Sequence, residues 1–242
     1  MKIDLSHGGG GVQTNELIRT VFAKHLSNPY LDPMGDAAVL ELPGTRIAIT
    51  TDAFVVKPLF FPGGDIGRLA VCGTVNDLLM TGATPLYLTA SFAIEEGMEV
   101  SDLDRIARSM REAADESGVS IVAGDTKVVE GSGGLYINTA GLGVRQTAQD
   151  ISVHRAAAGD AALVSGHLGN HHACVQSERL AIANHIQSDC APLGGMVHGL
   201  LAAGVEVHAL RDITRGGLAS VLNEIAEASG VGVALRGGLT FA

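Results

Sequence analysis

The chain has 242 residues, 46% of them hydrophobic, with 32 glycines, no tryptophan and a formal net charge of −10 at pH 7. Such a length fits one large domain or two modest ones with an ample core, and the acidic balance argues against nucleic acid as a partner, since Arg105, Arg108 and Arg111 are interleaved with acids. No run of 18 apolar residues and no apolar amino-terminal segment occurs, and three cysteines without a Cys-x-x-Cys spacing suit a reducing compartment, so a cytoplasmic protein with no membrane contact is expected.

In chain order, Gly8 to Gly11 form a flexible lead, and residues 13–27 carry Leu17, Ile18, Val21, Phe22 and Leu26 at helical spacing. Residues 46–51 read as a strand that places Asp52 at its C-terminal end. Residues 65–81 read as a helix stopped by Gly82, and Leu86 to Ile94 as a strand. Ser101 is the expected cap of a helix carrying Ile106, Ala107, Met110, Ala113 and Ala114 and ending at Gly118. Strands are expected at 119–123, leading into Gly124-Asp125, and at 135–144. The polar stretch 145–150 is the best boundary, giving an N-terminal domain over 1–148 and a C-terminal α/β domain over 149–242. In the second domain, strands are expected at 160–165, 205–210 and 232–236, and helices at 172–184, 192–203 and 217–229. The chain stops directly after the last strand, so that domain is expected to be incomplete.

Five aspartates stand in short segments flanked by glycine, threonine or asparagine: Asp36, Asp52, Asp77, Asp125 and Asp212. No Gly-x-x-x-x-Gly-Lys-Ser/Thr phosphate loop accompanies them. Carboxylates reach phosphate only through a cation, and Mg²⁺ commonly joins the two. Any single one of these residues also suits an ordinary turn or helix cap. Asn76-Asp77 is the most telling pair, because both are poor mid-helix residues set among apolar neighbours. Lys127 lies two positions after Asp125, on the same face of an extended segment, where it would neutralise a phosphate or form a salt bridge. Arg215 and the glycines Gly216-Gly217 open a helix whose N–H groups suit an anion, with simple capping by Asp212 or Thr214 as the alternative. The Ser6-His7-Gly8-Gly9-Gly10-Gly11 lead is weaker evidence of the same kind. His167, His171, His172 and His198 do not read as a zinc site, and Cys174 and Cys190 read as small buried hydrophobes.

These segments, in this order, resemble the ATP-binding superfamily of aminoimidazole ribonucleotide synthetase, selenophosphate synthetase and thiamine phosphate kinase. Within it the chain is most similar to the hydrogenase-maturation carbamoyl dehydratases. The resemblance is carried by Leu5 to Gly11, by Thr50-Thr51-Asp52-Ala53-Phe54-Val55-Val56-Lys57 with the Pro58-Leu59-Phe60-Phe61-Pro62-Gly63-Gly64 run, by Val71-Cys72-Gly73-Thr74-Val75-Asn76-Asp77, by Gly124-Asp125-Thr126-Lys127 and by Arg211-Asp212-Ile213-Thr214-Arg215-Gly216-Gly217. It implies an N-terminal domain that pairs with a second copy into a dimeric β-barrel, a flanking C-terminal α/β domain, and ATP with Mg²⁺ between them. The implied reaction is ATP-dependent dehydration of an S-carbamoyl group on a C-terminal cysteine to a thiocyanate, the source of cyanide for [NiFe] hydrogenase. The implied partners are a carbamoyltransferase and an iron-scaffold maturation protein. By resemblance, Lys127 lies near the chemistry. His7, Gly9, Gly10, Asp52, Asn76, Asp77, Asp125, Thr126, Arg215 and Gly216 hold ATP, and the five aspartates hold the metal. The family's tail cysteine and its Asn-Glu-Gly segment are not among the 242 residues, Gly169-Asn170-His171-His172 departs from the family's Gly-Asp-His-Gly, and Ile213 stands where proline or alanine is common. A C-terminally truncated dehydratase is therefore expected, with a non-catalytic dimeric binding module or another ATP-dependent synthetase or kinase as alternatives.

Overall fold

The structure is a computed structural model that describes residues 2–8, 12–32 and 46–235. Asp36, Gly9 and Gly10 lie outside the described residues. After a short 3-10 turn (Leu5–Gly8), the first helical stretch runs as α1 (Val12–Leu17), a π-helical segment (Ile18–Phe22) and α2 (Ala23–Leu26). Its predicted apolar side is the buried one, with Leu17, Val21, Phe22 and Leu26 all in the core. Then follow β1 (Ile47–Phe54), β2 (Phe60–Phe61), β3 (Gly64–Asp65), α3 (Ile66–Leu79), β4 (Thr84–Glu95), α4 (Val100–Ser117), β5 (Ser120–Val129) and β6 (Leu135–Val144). The second half supplies α5 (Asn170–Arg179), α6 (Gly194–Ala202) and α7 (Gly217–Ser229).

The main sheet is four-stranded and open, in the order β1-β6-β4-β5. The β4–β5 pair is parallel, while β6 runs antiparallel to both β1 and β4. One face of the sheet packs on α3, and α4, which connects the parallel strands β4 and β5, packs against α3 and also touches β5. With the sheet, α4 and α6 all against it, α3 is apolar around most of its circumference, as an enclosed helix must be. Ile66, Ala70, Val71, Val75, Leu78 and Leu79 are all at most 1% exposed. Gly67 permits the close α3–α4 crossing, because a Cβ there would lie 2.6 Å from the Ile106 carbonyl oxygen. Asp65 starts α3, its side chain accepting from the Gly67 and Arg68 N–H groups at 2.8 and 3.0 Å.

Several expected boundaries move, each because tertiary pairing overrides local signals. The strand β1 continues past Asp52 to Phe54 because β6 offers a ladder as far as Ile137. The strand expected at 119–123 runs on through Gly124-Asp125-Thr126-Lys127 as β5, paired residue for residue with β4. Gly124 belongs there because a Cβ would approach the Ala90 carbonyl oxygen to 2.9 Å. Ser101 does not cap α4: Glu99 stands at the N-cap position, and no side chain makes the capping bond. Gly118 does end that helix, in the left-handed conformation.

In the second half, α7 has the predicted span and α5 and α6 match their expected positions, but among the described residues no strand follows β6. The segments at 160–165 and 205–210 form no ladder. Val205 and Val207 are held by the Gln149 side-chain amide at 2.9 Å each, and Leu163 is 87% exposed. A strand is defined by its partners, and these apolar runs find no neighbouring strand among the described residues.

Candidate functional site: a three-carboxylate cluster

Side chains alternate along a strand. Thr139 of β6 is fully buried and its hydroxyl meets that of Thr74 on α3, so the row that pairs with it faces the helix. Asp52 is the β1 partner of Thr139, and Thr50 lies two residues earlier on the same face. Thr50 donates its hydroxyl to Asp77 Oδ2 at 3.0 Å. Asp77 therefore points from α3 toward the β1 edge of the sheet, which explains a carboxylate inside an apolar helix. The third carboxylate, Asp212, arrives from the segment preceding α7, and Arg211 Nη1 lies 3.5 Å from its Oδ1.

The electrostatics bind these three residues into one site. Burial raises the pKa of Asp77, the charge of Asp212 raises it further, the Thr50 hydrogen bond opposes the shift, and Asp52 adds to it. Asp212 is likewise raised by burial, against the pull of Arg211, with Asp52 and Glu224 adding repulsion. Like charges held together in a half-buried place are unfavourable unless a cation joins them. The donors are all hard carboxylate oxygens, which suits Mg²⁺. Among the described residues no three acidic, histidine or cysteine side chains converge closely enough to hold a metal ion unaided. A cation here would draw its remaining ligands from water and substrate phosphates, as Mg²⁺ commonly does.

The other expected residues are distributed around this cluster. In β5, Thr126 pairs with Phe92 on the helix-facing side, whereas Asp125 and Lys127 alternate onto the opposite, open face. They share a face, as their spacing predicts, but within one chain they stand on the other side of the sheet from Asp52. The open face also carries Ile47, Ile49, Val55 and Tyr136, exposed by 54, 77, 66 and 46%. A shallow depression there is lined by Ala53, Ser91, Ala93, Tyr136 and Asn138, among others.

Asn76 is already engaged. Its amide donates to the Ala191 carbonyl and accepts from the Leu193 N–H, both at 3.0 Å, and so clamps the second half of the chain onto α3. His7 is buried beside β5, at the far edge of the sheet from β1, with its ring 3.0 Å from Asp4 Oδ1. Arg215 and Gly216 lie at the exposed start of α7. Gly216 is left-handed, and a Cβ there would collide with the Ser220 side chain. Two members of the cluster were not singled out from sequence. Thr50 was legible as the i−2 neighbour of Asp52 on a strand, and Arg211 as the charge adjacent to Asp212.

The family model for the AIR synthase related protein N-terminal domain matches residues 34–145, and that for its C-terminal domain matches residues 157–237. A carbamoyl dehydratase HypE from Rhizobium leguminosarum bv. viciae is 49% identical over 236 residues, covering 96% of this chain and 67% of that protein. A crystal structure of the hydrogenase maturation protein HypE in complex with ATP superposes with a TM-score of 0.89 at 46% identity, over 93% of this chain and 68% of that one. A HypE–HypF complex gives a TM-score of 0.74 at 53% identity, over 88% of this chain and 70% of the matched chain.

Proposed function

The chain belongs to the carbamoyl dehydratase HypE family, and on that premise we propose that it binds ATP with Mg²⁺ at the Asp52–Asp77–Asp212 cluster and spends it on dehydrating an S-carbamoyl thiol to a thiocyanate. The observation that carries this reading is the cluster itself: among carboxylates from β1, α3 and the segment before α7, burial together with the charge of Asp52 raises the pKa of Asp77 and of Asp212, Asp212 raises that of Asp77 further, and one solved relative of the same fold is a complex with ATP. Asp52, Asp77 and Asp212 would hold the cation, with Asp36 as a further ligand. The cation would supply charge neutralisation between these carboxylates and the phosphates. Thr50 fixes the rotamer of Asp77 through its hydrogen bond, and Arg211 keeps Asp212 oriented. Arg215 and the start of α7 would face the phosphate chain.

In the reaction, the carbamoyl oxygen attacks the γ-phosphorus of ATP and ADP departs. The phosphorylated oxygen then leaves as phosphate, while the two protons of the amide nitrogen are lost and the carbon–nitrogen triple bond forms. Dehydration thus becomes elimination of a good leaving group, which requires a base but no external oxidant. Lys127 is the residue expected near that chemistry, with Asp125 beside it. Cys72 and Cys174 are each 1% exposed, and Cys190 packs against the core, so in this reading the carbamoylated thiol is a substrate that none of the three supplies.

We place the domain division near residue 148. A second copy is proposed to cover the open face of the four-stranded sheet and close it into a barrel. Support comes from the exposed apolar side chains Ile47, Ile49, Val55 and Tyr136 and from the fact that Asp125 and Lys127 also lie there. A HypF-like carbamoyl donor is the proposed partner, as one related structure is a HypE–HypF complex, with an iron-scaffold protein receiving the cyanide. The test is calorimetric titration with ATP in the presence and absence of Mg²⁺. Saturable, Mg²⁺-dependent binding is expected, and its loss in Asp212→Asn would assign it to this cluster.

A further inference from the structure

Arg68, Cys72 and Asn76 recur every four residues along α3 and therefore lie on one face of the helix. The two outer members are both bonded to the segment that precedes α6. Arg68 Nε donates to the Cys190 carbonyl at 3.4 Å, and Asn76 makes two bonds of 3.0 Å to Ala191 and Leu193. Cys72, one turn from each, lies on the helix face against which the Cys190 backbone is held, and the Cys190 side chain is the neighbour that most lowers its pKa. All three cysteines are unbridged, and Cys174 sits apart, its thiol directed at the Pro62 carbonyl at 3.7 Å.

We propose that Cys72 and Cys190 form a peroxide-sensitive thiol pair that closes to a disulfide and fastens the 188–193 segment covalently to α3. Because the Arg68 and Asn76 bonds tie the 190–193 backbone to α3 one turn before and one turn after Cys72, side-chain rotations bring the two sulfurs toward the S–S distance of about 2.05 Å. The Cys190 side chain lowers the pKa of the Cys72 thiol, burial opposes that shift, and the Arg68 guanidinium on the same helix face, itself paired with Glu116 at 2.8 Å, lowers it further. The Cys72 thiolate attacks one oxygen of hydrogen peroxide, giving a sulfenic acid and releasing hydroxide, which is protonated to water. The Cys190 sulfur then attacks the Cys72 sulfur, its proton and the sulfenic hydroxyl leaving as a second water. Two thiols are oxidised by two electrons and one peroxide is reduced to two waters. A thiol reductant reverses the bond by exchange.

The pair joins the N-terminal layer to the second half of the chain at the place where Asn76 already clamps it, so closure would rigidify that junction without involving the carboxylate cluster. The test treats the full chain with hydrogen peroxide, blocks remaining thiols with N-ethylmaleimide after unfolding, and maps peptides by mass spectrometry. We expect a Cys72–Cys190 linked peptide, a free Cys174, recovery of all thiols on adding dithiothreitol, and several-fold slower amide exchange at Leu193 in the oxidised form. Cys72→Ser and Cys190→Ser, each checked for folding by circular dichroism, should yield no linked peptide while leaving Cys174 alkylated. Full alkylation of all three cysteines after a peroxide dose that oxidises free glutathione would overturn the proposal, as would linkage to Cys174 or irreversible oxidation of isolated cysteines.

Discussion

At the scale of single residues, the site is a trade of stability for binding. Burial and the charges of Asp212 and Asp52 raise the pKa of Asp77 above its ordinary 3.8, so the folded chain holds that proton more tightly than the unfolded one. A raised carboxylate contributes stability that is fully present below its unfolded value and is lost as pH rises through the folded value. At neutral pH, ionised Asp77 is thus a net cost to the ligand-free fold. Asp77→Asn should therefore raise the Tm of the metal-free, nucleotide-free chain at pH 7, and the gain should vanish below the carboxylate range. The same substitution should weaken Mg²⁺-ATP binding by about tenfold or more, the scale of one lost charge-assisted contact. An unchanged Tm at pH 7 with unchanged affinity would make Asp77 an ordinary partly solvated side chain. Its neighbour behaves in the opposite way. Asn76→Ala strands the Leu193 N–H and the Ala191 carbonyl, so it should lower stability by about 1–3 kcal/mol in urea denaturation. The family resemblance groups Asn76 with the nucleotide ligands, and the structure shows its amide bonded to backbone 115 residues away in the chain, a further reason for an asparagine in mid-helix.

At the scale of elements, helices were more legible than the limits of strands. The apolar spacing of Ile106, Ala107, Met110, Ala113 and Ala114 carries its own answer, because a helix satisfies its backbone internally. Strand limits depend on a partner that local sequence does not contain. Gly124-Asp125-Thr126-Lys127 has turn composition and becomes strand only because β4 lies alongside it. That difference matters for the site, since a strand's period of two sends Asp125 to the opposite face from Asp52. Conversely, 160–165 has strand composition but no described partner. The α3–α4 crossing gives a direct test of packing. Gly67→Ala would drive a methyl group into the Ile106 backbone, so it should cost about 1–3 kcal/mol of stability. Gly195→Ala, in α6 with nothing within 4 Å of the added carbon, is the control and should be close to neutral. Equal urea midpoints for the two variants would contradict the close crossing.

At the scale of the whole molecule, two surfaces of one sheet divide the work. The helix-facing side builds the core and, at its β1 edge, the carboxylate cluster. The open side carries exposed apolar groups together with Asp125 and Lys127. If a second copy covers that side, Ile49→Glu, at a position 77% exposed in the single chain, should leave the fold intact while shifting the sedimentation coefficient from dimer to monomer. A dimer that persists in this variant would place the interface elsewhere. The most direct measurement for the assembly of Asp52, Asp77 and Asp212 into one cation-bridged nucleotide site is calorimetric titration of ATP into the full chain, with Mg²⁺ and with Mg²⁺ chelated. Saturable binding that requires Mg²⁺ and is weakened in both Asp77→Asn and Asp212→Asn is the predicted result. Binding that is absent with Mg²⁺, or indifferent to both substitutions, would contradict it.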